Sequence, residues 1–186
     1  LIGMSAVVIV LALFISRNEL NDEFVKYYDE SVPFRQATDF TIDNLTGFEF
    51  IEYSLESGEE GGINNPDYLR TVAAFADWYR QQPEVMHMYA YTDIIKRLSK
   101  NMHGDDPAYF ITPDNRELAA QYLLLYEMSL PFGLDLTDQI NLDKSATRFK
   151  VSLTSITTNG MLDLEQRAEQ WLADNAPEVM RATGTG

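Results

Sequence analysis

The 186-residue sequence contains no cysteine, which excludes a disulfide framework and a thiolate metal site. Histidine is nearly as scarce, with His87 and His103 the only two. Basic residues are few: 14 Lys and Arg stand against 29 Asp and Glu, for a formal charge of −15. Nucleic acid and anionic lipid surfaces need clustered Lys and Arg, so this balance argues against direct binding to either. No G-x-S-x-G, Walker or dinucleotide glycine pattern occurs, and Gly58–Gly62 lacks the strand-to-helix context of a phosphate loop. Internal repeats with a period of about 20–50 residues are also missing.

What the chain does have is grease in one place. Leu1–Ile15 is an apolar run without a charge. At about 1.5 Å per residue it covers roughly 22 Å, short of the ~30 Å hydrocarbon core, as the end of a membrane span would. A secretory signal would carry a basic segment ahead of the run and a small-residue cleavage site behind it, and neither is present. The run passes into Ser16-Arg17-Asn18-Glu19 and the acidic residues Asp22, Glu23, Asp29 and Glu30. Cytoplasmic flanks are rich in Lys and Arg, so the chain is expected to lie outside the cytoplasm, tethered through Leu1–Ile15. A buried core helix is the competing reading, and it would need burial all round.

Beyond the run, apolar content suits one domain or two small ones sharing an interface. Residues 16–47 read as a connecting segment and a helix. Phe24–Tyr28 is strand-like; Ser31 is placed to cap a helix that Pro33 opens. Phe34, Thr38, Ile42 and Leu45 recur at helical spacing, with Gly47 placed to end the helix. From Phe48 to Glu56 the pattern switches to period two, with Ile51, Tyr53 and Leu55 inward. Asn65-Pro66 opens a helix to about Gln82 with Leu69, Val72, Ala73, Ala76 and Tyr79 on one stripe. Val85–Tyr91 reads as a strand, Thr92-Asp93 as a helix cap, and His103–Asp114 as a loop. Asn115–Leu130 is a very apolar helix. Thr147–Thr157 is the clearest strand, with Phe149, Val151 and Leu153 on one face. Leu162–Asn175 is amphipathic, with Leu164, Ala168, Trp171 and Leu172 inward, and Val179–Thr183 reads as a last strand.

Setting aside a helical insert at about 92–146 leaves strand, helix, strand, strand, helix, strand over residues 48–186. That is the split βαβ order of an α+β ferredoxin-like domain, with both helices on one face of an antiparallel sheet.

These features together resemble the large extracytoplasmic loop of resistance-nodulation-division (RND) superfamily exporters of the MMPL-like type. The resemblance is carried by Ser31-Val-Pro-Phe-Arg35, Thr38-Asp-Phe40, Asn65-Pro66 with the helix to Trp78, and Pro83-Glu-Val85 leading to Tyr91-Thr-Asp93-Ile-Ile-Lys96. It continues through Ala119–Pro131, Thr147-Arg148 and Thr183-Gly184. No one of these is a signature; their order and spacing carry the likeness. It implies a porter-like domain of a proton-driven exporter of hydrophobic or amphipathic molecules such as lipids or drugs. The implied setting is a bacterial inner membrane, with this domain in the periplasm. The partners implied are the rest of the same membrane polypeptide, the membrane through Leu1–Ile15, a lipid or hydrophobic small molecule, and a homo-oligomer. The proton-carrying residues of that family lie inside membrane helices, and Leu1–Ile15 holds none.

Single residues add little chemistry. His87 lies mid-strand between Met86 and Met88, facing the same way as Val85 and Tyr89, and reads as a packed or partly exposed histidine. Its neighbours Met86 and Met88 offer an adaptable wall for a greasy ligand. His103 precedes Gly104-Asp105-Asp106, but adjacent loop aspartates point apart and the calcium-loop spacing is absent. The pairs Glu59-Glu60 and Asp22-Glu23 read as solvated acidic loops. Asn44-Leu-Thr46 is a formal glycosylation sequon with no meaning in a bacterial protein. No catalytic, cofactor-binding or metal-binding residue is assigned, and no cofactor is expected. Tyr122–Tyr126 and Met128 cover more than one helix face, so burying one stripe leaves apolar surface for a partner or a lipid-lined cleft, unless all of it is core. Two other functions compete: an extracytoplasmic ligand-binding sensor domain on a receptor, and a membrane-tethered hydrolase, for which no nucleophile–base set is visible.

Overall fold

Alternation of wet and apolar side chains makes β1 (Glu49–Glu56), in which Ile51, Tyr53 and Leu55 are buried. In the computed structural model, which describes residues 24–131 and 133–185 together with Gly3 and Leu13, this strand is one edge of a mixed α+β fold. The elements that follow α1 (Pro33–Asn44) and β1 are α2 (Pro66–Tyr79), β2 (Val85–Tyr89), α3 (Tyr91–Met102), α4 (Arg116–Ser129), β3 (Ala146–Leu153) and α5 (Thr158–Asn175). The sheet has three antiparallel strands in the order β1-β3-β2. The β1–β3 register runs from Glu49 opposite Leu153 to Glu56 opposite Ala146. Beyond β1, Thr185 makes a two-way backbone bridge with Glu52, at 2.8 and 3.0 Å.

One face of the sheet is dry because α2 and α5 cover it. Phe75 sits 4.8 Å from the Phe149 ring and 5.1 Å from Trp171, and Tyr53 lies edge-on to Phe75. Leu164, Ala168 and Leu172 close the cluster from α5. Each fully buried side chain of this size contributes about 1.5–3 kcal/mol relative to exposure. The other face carries charge: Glu52 holds Arg148 at 2.6 Å and Lys150 at 3.2 Å, and the Lys150 ammonium lies 4.1 Å over the Phe50 ring. The caps follow their residue types. Asn65 accepts from the Asp67 N–H, Asn115 from Leu118 and Thr157 from Gly160, each satisfying a donor the helix itself leaves open.

The expected strands and helices on residues 48–175 are present, with shifts that have physical causes. Phe24–Tyr27 is a 3-10 turn instead of a strand; it packs on α1, where the Tyr28 and Phe34 rings are 5.1 Å apart. Pro33 does open α1, but the capping position is Val32 without a side-chain bond. Ser31 instead donates its backbone N–H and hydroxyl to the Asp29 carboxylate. Of the α1 stripe only Thr38 is buried, while Phe34 and Leu45 are exposed. Gly47 lies past the end of α1 and serves close packing: a Cβ there would fall 1.7 Å from the Leu153 carbonyl oxygen.

β2 stops at Tyr89, and Tyr91 and Thr92 belong to α3 with Ala90 at its cap. Burial of the Tyr91 ring, whose hydroxyl donates to Asn64 Oδ1, draws that residue out of the strand. β3 ends at Leu153, before the expected Thr157. Val179 and Met180 lie in a 3-10 turn, Glu178–Met180, which drops Met180 into the core, so pairing with β1 waits until Thr185. The Leu1–Ile15 expectation lies outside the described residues apart from Gly3 and Leu13. Among the described residues no helix is long and apolar enough to cross a membrane.

Candidate functional site

A cleft of about 730 Å³ lies along the outer side of β2 against α3. Its position follows from the sheet order: β3 occupies one edge of β2, and no described strand pairs with the other. A register shift between Val85 and His87 shapes the strand. Two residues on the bulged strand turn where one would, which re-aims the side chains. Val85 therefore packs partly against the core and Met88 is buried, while Met86, His87 and Tyr89 are exposed. His87 shares the outward side with Tyr89 but not with Val85, contrary to strict alternation. Both methionines of the expected wall line the cleft, but Met88 is buried in the core and Met86 is the one with an exposed side chain.

The opposite wall is α3. Asp93 receives both bonds of a two-oxygen contact from Arg80 Nη2 at 2.7 Å, and Arg80 Nη1 reaches Asp77 at 2.9 Å. One turn on, Lys96 and Arg97 line the same cleft, and Phe110 closes its rim. A smaller cleft of about 330 Å³ between α3 and α4 shares Tyr89, Asp93 and Arg97 with it, and adds Ile94, Leu98 and Tyr126 as apolar wall. Burial holds the Tyr89 hydroxyl above its ordinary range, with Tyr126, Asp138 and Asp93 adding to the effect and Arg97 opposing it.

The charge pattern of this cleft is unusual for the molecule. Ten of the described Lys and Arg side chains hold a carboxylate within 3.9 Å. Lys96 and Arg97 do not, and they are the only two adjacent basic residues in the sequence. Sequence reasoning does not single out this pair as a site; its adjacency, in a chain of charge −15, is the one signal that could find it.

Other candidates separate. His103 stacks on Tyr109 with ring centroids 3.8 Å apart, and its Nδ1 lies 2.7 Å from the Ser99 carbonyl. Asp106 caps the Pro107–Tyr109 turn and Asp105 pairs with Lys100, so the three groups face different partners. Among the described residues no three His, Asp or Glu side chains converge as metal ligands. Glu59 is bound to Arg116 at 2.7 Å, and Asp22-Glu23 lies outside the described residues. On α4, Tyr122 and Leu123 are buried, whereas Leu124, Leu125 and Met128 are exposed. The apolar surplus read from the sequence is therefore real surface.

Neither a family model nor a curated protein matches this chain.

Proposed function

We propose that this chain is an extracytoplasmic, porter-like domain of a proton-driven RND-type exporter, and that it hands hydrophobic or amphipathic molecules along the cleft between β2 and α3. The observation that carries the reading is the strand order. A split βαβ unit requires its third strand to insert between the first two and its last segment to pair outside the first. The β1-β3-β2 order, with the single bridge of Thr185 to the free side of β1, supports that reading. The α3–α4 pair is the helical insert between the second and third strands. A cleft of mixed apolar and polar lining beside an open strand edge suits a guest with one greasy and one polar end.

An extracytoplasmic sensor domain would hold a ligand in the same cleft without moving it, and the test separates the two. Everted membrane vesicles carrying the whole membrane polypeptide are energised with a proton gradient, and uptake of a fluorescent amphiphile is followed. Met86→Asp and Phe110→Asp are expected to lower the initial rate several-fold without changing protein level. Vesicles that bind the amphiphile but show no gradient-dependent uptake, with or without these substitutions, would overturn the exporter in favour of the sensor.

A further inference from the structure

We propose that Lys96 and Arg97 form the head-group site for an anionic amphiphile, a single phosphate or carboxylate on an apolar chain, whose tail lies on Met86 and Phe110. The inference deepens, and rests on, the reading of this cleft as an amphiphile path. It begins from a mismatch in charge. In a chain with 29 acidic and 14 basic residues, a cation finds a carboxylate easily, and ten described cations have done so. Lys96 and Arg97 have not, and these two are neighbours in sequence and share one wall of the cleft.

The nearby carboxylates do not supply their partner. Asp93 and Asp77, which line the same cleft, are both held by Arg80 at 2.7 and 2.9 Å. Arg80 thus holds both carboxylates, and with Arg80, Lys96 and Arg97 set against Asp77 and Asp93 the lining keeps one net positive charge, with Lys96 and Arg97 as the cations in it that touch no carboxylate. His87, exposed on the facing strand, adds a ring nitrogen within the same lining. An arginine beside a lysine suits an oxyanion, because the guanidinium offers a planar fork and the ammonium a mobile point charge. The chain's overall negative charge opposes docking on an extended anionic surface, but it does not oppose one head group drawn into a local positive site.

Apolar surface adjoins these charges. Met86 is 38 % exposed and Phe110 45 % exposed at the cleft. Past the shared residues Tyr89 and Arg97, the smaller cleft continues over Ile94, Leu98 and Tyr126. A guest that places its anion at Arg97 therefore has apolar wall on either side of that point. Neither an inorganic anion nor a neutral hydrocarbon would use both features.

The test uses the purified 186-residue chain and decyl phosphate below its micellar concentration. Decyl maltoside serves as the neutral amphiphile of equal chain length, and inorganic phosphate as the free anion. Calorimetry is expected to show one saturable site for decyl phosphate, about tenfold or more tighter than decyl maltoside, with a preference that shrinks as salt is raised. Lys96→Gln combined with Arg97→Gln removes the preference but leaves decyl maltoside binding unchanged, which shows that fold and apolar wall survive. Arg70→Gln, an exposed cation on α2, leaves the preference intact. Equal affinity for the two amphiphiles, or a preference that survives the double substitution, overturns the head-group site alone and leaves the amphiphile path standing. Inorganic phosphate binding as tightly as decyl phosphate overturns the amphiphile and leaves a free-anion site. Anion preference in the wild-type chain together with no gradient-dependent uptake in the vesicle assay keeps the site and overturns the exporter.

Discussion

The hydroxyl oxygens of Tyr53 on β1 and Tyr79 on α2 lie 2.6 Å apart inside the core, where both side chains are at most 1 % exposed. Burial pushes both phenols well above their ordinary range, so the pair stays neutral and locks helix to sheet through one hydrogen bond. Removing one hydroxyl strands the other without water. Tyr79→Phe is expected to lower unfolding free energy by about 1–3 kcal/mol, whereas Tyr53→Phe with Tyr79→Phe loses less than the sum of the single changes. Urea denaturation of the four proteins of this cycle measures it, and strict additivity would rule out the coupling.

Phe75 is the centre of the ring cluster, in contact with Tyr53, Tyr79, Phe149 and Trp171. Phe75→Ala leaves a cavity that β3 and α5 cannot both collapse into. A loss of about 3–5 kcal/mol is expected, read as a lower denaturation midpoint. A loss under about 1 kcal/mol would mean that this cluster is not the core.

At Gly184, a Cβ would meet Ile51 Cγ2 at 2.6 Å and the Tyr53 hydroxyl oxygen at 3.0 Å. Gly184→Ala should therefore push the chain off β1 and break the Thr185–Glu52 bridge, at a cost of about 1–3 kcal/mol. Hydrogen exchange at the amides of Glu52 and Thr185 reports the bridge itself. Exchange at those two amides as slow as in the parent chain would contradict the account.

Thr92 is fully buried, and its Oγ1 has no hydrogen-bond partner among the described residues. Thr92→Val replaces an unsatisfied polar atom by a methyl of similar shape. Stability should stay level or rise by up to about 1 kcal/mol, against the usual direction of core changes. A thermal melt that moves down instead points to a partner for that hydroxyl.

Acid should act through Glu52. Burial alone would raise its carboxyl, but the hydrogen bonds and charges of Arg148 and Lys150 outweigh this and hold it below the ordinary value of 4.5. A depressed carboxyl contributes stability above its unfolded value and loses that contribution as pH falls through the lower folded value. Urea midpoints taken from neutral pH downward should fall more steeply below about pH 4.5 in the parent chain than in Glu52→Gln. Parallel curves would remove Glu52 from the acid response.

What the amino-acid sequence determines here is local. Period-two alternation at Ile51-Tyr53-Leu55 and at Phe149-Val151-Leu153 names the inward faces of β1 and β3. The Asn65-Pro66 pair and the stripe from Leu69 to Tyr79 name the start and the buried face of α2. These follow from side-chain direction and capping chemistry, which depend on residues a few positions apart. Tertiary structure decides what depends on distant partners. Whether His87 faces with Val85 depends on a bulge set by pairing with β3, and the role of Gly47 depends on a carbonyl more than a hundred positions away. The candidate site is of the second kind. Lys96 and Arg97 are visible in the sequence as one basic step, but only the packed chain shows that Arg80 takes Asp77 and Asp93 and leaves those two cations with none. Which charges pair is a matter of distance in space, and spacing along the chain does not supply it.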